Sequence, residues 1–478
     1  MKQPLFFKQV KTKNHEQLNF LLQKMKHPII ALLISLLFSQ ITYSQNIYNV
    51  SVHITNYDKE HLFWGEIYGD EITITDTLFS DNNTDFTLSL PEGQQTGIYR
   101  IIIKKKERDK FIDVVFHNSD IEISTDAKYP LEALKIIQSE ETKRYHLYKS
   151  SSSYISYKTK LLTTLLESYP QEDPFYNTIN IKLNDLKTEQ NDSAFSIIDK
   201  FPDSYVSKII AFDIEPETNP ALSRAEQQDF LKAHYFDEVD FSESEILHSH
   251  AIPNKIINYL ALYRNPALYK THQESLFMQA TDTILLKTKI NPEIYDFTAN
   301  YLIEGFKRYG FEKLVTYIAT NTDLDLNCSN DEKKAEFLTK IENIKATAIG
   351  ATAPQIILPD IAGQKVELHK IDSEYTLVVF WASWCTHCTE MLPELQNLYD
   401  KNKNHLKILA VSLDSDSEEW IEASKQFPWT HISELKGWES SIAEKYVVYA
   451  TPTFFLLNSK KEIIAKPTTM EGILDLIN

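Results

Sequence analysis

The sequence predicts a multidomain chain: a small antiparallel β domain, an α-helical middle domain, and a C-terminal domain of α/β type. Three observations carry that reading. Residues 47–126 alternate apolar and polar side chains, whereas residues 129–347 repeat apolar positions at helical spacing. After residue 354, short apolar strands alternate with helical stretches. The chain has 478 residues, 42% hydrophobic and 12% aromatic, enough to bury several cores.

The β domain is placed at 45–127. Ile72-Thr73-Ile74-Thr75, Phe86-Thr87-Leu88-Ser89-Leu90 and Ile121-Glu122-Ile123 show the period of two expected of strands with one wet face. The clusters Asp81-Asn82-Asn83 and Pro91-Glu92-Gly93 read as turns between them.

The helical domain is placed at 128–346. Ile155, Leu161, Leu162, Leu165, Leu166 and Tyr169 form one apolar stripe, closed by Pro170. Ala299, Leu302, Ile303 and Phe306 form another, followed by Leu314, Val315 and Ile318. Cys328 stands alone near the end of this region and reads as a small packed hydrophobe.

The C-terminal domain is placed at 347–478, opened by a linker of small residues at 347–354. Strands are expected at 366–368, 375–381, 405–413, 454–457 and 463–465. Helices are expected from the cysteines onward and at 417–427, 438–446 and 470–477. Residues 375–381 (YTLVVFW) are apolar on both faces, as a central strand of a covered sheet must be.

Composition excludes some functions. The formal net charge of −18 argues against nucleic acid, which is bound by neutralising phosphates with Lys and Arg. There are only 10 glycines and no glycine-rich phosphate loop. Three cysteines, Cys328, Cys385 and Cys388, are too few for a disulfide scaffold.

Near the start, Lys24 and Lys26 flank an apolar run from Ile29 to Phe38, and small residues follow at Thr42 and Ser44. This is the layout of a secretory signal, cleaved before Gln45. The run is shorter than the roughly 20 residues of a membrane span. Residues 1–44 are therefore expected to be a signal peptide, whose first 24 residues either extend its basic region or precede a true start at Met25, and the mature protein is expected to act in the periplasm or cell envelope.

The chemistry is concentrated in Phe380-Trp-Ala-Ser-Trp-Cys-Thr-His-Cys-Thr-Glu-Met-Leu-Pro393. A strand runs into a helix whose first turn carries both cysteines. Two intervening residues let the sulfurs meet at one helix end. The partial positive charge there stabilises a thiolate. Cys385 is then the exposed nucleophile and Cys388, almost one turn deeper, the resolving thiol. His387, when protonated, adds positive charge beside the thiolate and makes the pair more oxidising. Ala450-Thr451-Pro452-Thr453 precedes an apolar strand. A proline there suits a cis peptide that leaves backbone free to pair with an extended substrate.

These residues resemble the thioredoxin superfamily, in the subgroup of TlpA/ResA/DsbE-like periplasmic thiol–disulfide oxidoreductases. The resemblance covers roughly the last quarter of the chain. It also rests on Ala353-Pro354, Leu358-Pro359-Asp360 and Gly363, and on Pro393 within the helix. It implies a thioredoxin-like domain with Cys385 as nucleophile, Cys388 as resolving thiol and Pro452 in cis against the disulfide. It also implies that Trp384 shields the site. Two positions depart from the pattern. Val379 stands where thioredoxin has a buried aspartate, and Met391 where many TlpA-like members have a glutamate. Glu390, one step earlier, is turned by about 100° on a helix.

The expected activity is reduction, with oxidation or isomerisation as the alternatives, of disulfides in cell-envelope proteins. A membrane electron donor is the expected partner. No cofactor is expected beyond the Cys385–Cys388 disulfide. A zinc site would need four ligands, and no second cysteine pair or finger-spaced histidine is present. The alternative is a cell-envelope binding or assembly protein with an accessory redox domain, since most of the chain precedes the cysteines.

Overall fold

The computed structural model describes residues 48–80, 82, 84–104, 108–219, 222–322 and 332–477. The expected signal segment and Cys328 lie outside them. The chain divides into two compact units. One takes in residues up to Leu147 apart from Tyr68–Glu71; the other takes in Tyr68–Glu71 and Tyr148–Asn478.

The first unit is built on β1 (Tyr48–Thr55), β2 (His61–Tyr68), β3 (Glu71–Ser80), β4 (Asp85–Leu90), β5 (Gly97–Ile103), β6 (Lys110–Phe116), β7 (Ile121–Asp126) and β8 (Lys135–Gln138). They form one sheet in the order β6-β5-β2-β3-β4-β1-β7-β8. The period of two is visible in burial: Val50, Val52 and Ile54 of β1 face inward, as do Ile121 and Ile123 of β7. Three details differ from expectation. The sheet is not wholly antiparallel, because β1 and β7 pair in parallel, Val50 opposite Ile121. No tight turn joins these distant strands, so nothing local dictates their direction. The first half of β3, with Ile72 and Ile74, is exposed on both faces. Its described pairing with β4 begins only at Phe79. The sheet also runs past residue 127, since β8 pairs with β7.

Helices follow: α1 (Glu140–Ser168), α2 (Pro174–Ile198), α3 (Tyr205–Ile210), α4 (Arg224–His234), α5 (Ala251–Ala261), α6 (Lys270–Thr288), α7 (Pro292–Arg308), α8 (Glu312–Asn321) and α9 (Glu332–Ala346). Their starts are written in the sequence. Asp173 caps α2 and Asn291 caps α7, each followed by proline, while Ser223 and Glu226 form a capping box on α4. The stripe Ala299, Leu302, Ile303 and Phe306 is buried as read, with Leu314, Val315 and Ile318 of α8. The stripe on α1 is not: Ile155 is buried, but Leu161 and Leu165 are exposed.

The C-terminal domain comprises β9 (Ile357–Pro359), β10 (Lys365–Glu367), β11 (Tyr375–Trp381), α10 (Thr386–Asn402), β12 (Leu406–Ser412), α11 (Ser417–Ser424), β13 (Thr430–Ser433), α12 (Ser441–Lys445), β14 (Thr453–Leu457), β15 (Ile463–Ala465) and α13 (Met470–Ile477). Its main sheet has the order β13-β12-β11-β14-β15. β11 is central, parallel to β12 and antiparallel to β14. Thr376 through Trp381 are all buried, as the two-faced apolar run requires. β9 and β10 form a separate hairpin, where Asp360 Oδ1 accepts the Ala362 and Gln364 amides and Gly363 takes φ +78°. Residues 347–354 are not a free linker. The Gly350 amide donates to Ile463 O at 2.7 Å and the Ala353 amide to Lys461 O at 2.8 Å, so the segment runs along the β15 edge.

Candidate active site

β11 delivers the chain to Ala382, and the Cys385 amide donates back to the Ala382 carbonyl at 3.2 Å, closing a tight turn. Cys385 is the N-cap of α10. Its sulfur accepts the Cys388 amide at 3.2 Å, so it takes the place of a capping side-chain oxygen. The two cysteines are bonded as a disulfide, their Cα atoms 5.3 Å apart. Cys385 is 7% exposed and Cys388 0%. Cys385 therefore keeps a small exposure and Cys388 none, with Leu392 and Leu395 of the same helix in the core beside it.

The second element of the site is the segment before β14. The Thr451–Pro452 peptide is cis, and the Thr451 carbonyl lies 3.5 Å from Cys385 Sγ. Thr451 and Pro452 are half-buried. The Thr453 hydroxyl donates to Ala450 O at 2.7 Å. Trp384, 52% exposed, faces Trp438 at a centroid distance of 6.2 Å. His387 and Glu390 are both exposed on the first turns of α10. Met391 packs against the core instead. Val379 is fully buried in β11 opposite Ala410 and Phe454, so an apolar wall stands where thioredoxin has its carboxylate.

A carboxylate does reach the site from a position the sequence reading passed over. Asp414, 1% exposed, follows β12. It accepts the Ser383 amide at 3.1 Å, the Ser383 hydroxyl at 2.6 Å and the Ser412 hydroxyl at 2.5 Å. It thereby ties down the residue two before Cys385. The available signal was Ser412-Leu413-Asp414: a charge at the carboxyl end of a buried parallel strand, where α/β sheets place their sites. His431 of β13 is also buried, with its ring edge-on to Trp381 at 5.7 Å. Burial pushes its imidazole down to about 4, so the ring is neutral at pH 7.

A thioredoxin-like family model matches residues 372–463. The chain is 30% identical over 118 residues to the thiol-disulfide oxidoreductase ResA of Bacillus cereus strain ATCC 10987 / NRS 248, covering 24% of this chain and 67% of that one.

The chain belongs to the thioredoxin superfamily, on its ResA-like branch.

Its C-terminal thioredoxin-like domain is a thiol–disulfide oxidoreductase, and Cys385 and Cys388 are the pair that fits that chemistry. A further relative is the sporulation thiol-disulfide oxidoreductase A of Bacillus subtilis strain 168, 30% identical over 115 residues, covering 22% of this chain and 66% of that one. Among solved structures, a thiol-disulfide oxidoreductase from Bacteroides fragilis NCTC 9343 is 32% identical. It covers 26% of this chain and 96% of its own length, with a TM-score of 0.24. A thioredoxin-like protein from Bacteroides caccae ATCC 43185 is 17% identical, over 55% of this chain and 96% of its own, with a TM-score of 0.39.

Proposed function

We propose that this protein reduces disulfides in polypeptides of the bacterial cell envelope, with Cys385 as nucleophile and Cys388 as resolving thiol. One observation carries the reading: the Cys385 sulfur caps α10 and accepts the Cys388 amide, and of the two cysteines only Cys385 keeps any exposure. At a helix N-terminus about half a positive charge stabilises the thiolate over the thiol.

In the forward step the Cys385 thiolate attacks one sulfur of a substrate disulfide. A mixed disulfide forms, and the other substrate sulfur leaves as a thiolate that takes up a proton. Cys388 then loses its proton and attacks Cys385 Sγ. The Cys385–Cys388 bond forms, and the second substrate sulfur leaves as a thiol. Two electrons pass to the substrate. A dithiol donor, expected to be membrane-bound, returns them by the reverse exchange. The redox disulfide serves in place of any metal or organic cofactor.

Thr451 and Pro452 border the attacking sulfur, so an extended substrate segment has backbone to lie against there. Trp384 supplies an apolar face next to the nucleophile. His387 raises the oxidising power of the pair. Glu390, exposed on the same helix, is a further group that tunes the pair. Residues 1–44 export the chain, and from Tyr148 onward the helical middle region shares one compact unit with the C-terminal domain. No helix of the described residues is long and apolar enough to cross a membrane.

Trapping tests the proposal. In the full chain, Cys388→Ser accumulates mixed disulfides with polypeptide substrates and Cys385→Ser does not. Equal trapping by both variants would reverse or remove the assigned roles.

A further inference from the structure

The segment leading to Thr451 is held from two sides. Val447 sits at φ +56°, a region that β-branched residues avoid, so the turn persists only because its surroundings impose it. On one side the Val448 amide donates to Ala443 O at 2.8 Å, and buried Tyr446 donates to the Pro354 carbonyl. On the other side the helical region reaches in. The Tyr449 hydroxyl donates to the Lys307 carbonyl of α7 at 3.1 Å, and Lys307 Nζ lies 4.1 Å from the centre of the Tyr449 ring. Beyond the site, Lys466 bonds Glu312 of α8 at 2.9 Å. All these residues belong to one compact unit. Two residues after Tyr449 comes the carbonyl that touches the nucleophilic sulfur.

We propose that Lys307 is a positioning residue: through Tyr449 the helical region fixes the Thr451–Pro452 backbone in the place where a polypeptide substrate must lie. This rests on the disulfide-reductase reading above. The device serves substrates that lie along that backbone. A small disulfide needs only the Cys385 sulfur and does not depend on it. The helical region thus belongs to polypeptide recognition without contacting the reacting sulfurs.

The test uses the full chain with dithiothreitol as donor, and insulin and glutathione disulfide as substrates. Lys307→Ala is expected to raise KM for insulin about three- to tenfold, the range of a lost cation–π contact. Turnover of glutathione disulfide and the reduction potential stay at the wild-type level, and Lys307→Arg restores KM. Tyr449→Ala also removes the hydrogen bond to the Lys307 carbonyl and should raise KM at least as much, and the double variant should be no worse than Tyr449→Ala alone, because the Lys307 side chain acts through Tyr449. An equal loss on both substrates, additive effects, or no effect on either would overturn the inference. A wild-type chain that reduces neither substrate would instead overturn the reductase reading itself.

Discussion

The two larger sheets among the described residues bury similar apolar strands and do different work. In the eight-stranded sheet, the buried and half-buried polar groups close structure. Arg100 and Asp113 pair across β5 and β6 with two hydrogen bonds of 2.6 and 2.8 Å. The Thr142 hydroxyl accepts the Val115 amide at 3.0 Å. In the five-stranded sheet, the corresponding group points at a reactive loop. Asp414 spends its acceptor capacity on Ser383 and Ser412, at the strand ends from which the nucleophile emerges. Topology explains the difference. Parallel β11 and β12 are joined through α10, so a helix N-terminus is delivered to a strand end. Hairpins deliver only turns. Reactivity comes from that crossover, not from the core.

The largest expected effect breaks the comparison at its chemical end. Cys385→Ser should reduce disulfide turnover to background in an insulin assay, while leaving hydrogen exchange in the eight-stranded sheet unchanged. Next come two carboxylates. Asp113→Ala leaves a half-buried guanidinium without its partner and should destabilise the first unit by about 2 kcal/mol. Asp414→Ala strands three donors and should destabilise the C-terminal domain by about 3 kcal/mol. Hydrogen exchange in each sheet reads the loss. Only Asp414→Ala should also slow thiol exchange. If Asp113→Ala slows it equally, the division of labour between the sheets is wrong.

How much of this was legible depended on whether the physics was local. The strand-into-helix run around Cys385 and the proline before β14 are local, and both stand where they were read. The alternation around Val50 and Ile121 marked strands but not partners, so the parallel β1–β7 pairing was out of reach. β13 is four residues of mixed character and was missed. Residues 347–354 read as a linker because their hydrogen bonds go to a strand far along the chain. Asp414 and the Lys307–Tyr449 contact were invisible for the same reason: each joins residues that only the fold brings together.

A smaller effect follows from His431. Its imidazole ionises near 6.5 when unfolded but at about 4 when folded. The neutral ring is the native form, so its stabilisation is complete above pH 6.5. It is lost as pH falls from there toward 4, by at most about 3 kcal/mol. His431→Phe should flatten that acid limb in urea titrations between pH 4 and 6.5; an unchanged limb would assign the loss to other groups. The smallest effect sharpens the poise of the pair. His387→Ala removes the imidazole proposed to tune the pair and should lower the reduction potential by about 30 mV, equal to about 1.4 kcal/mol for two electrons. A rise in potential would contradict the assigned role.

The most direct measurement equilibrates the full chain with glutathione buffers from reducing to oxidising, alkylates free thiols and weighs the products. The account predicts one reversible two-electron transition of Cys385 and Cys388, reached faster than in a simple dithiol peptide. A pair that stays in one state across the series, or exchanges no faster than the peptide, would contradict it.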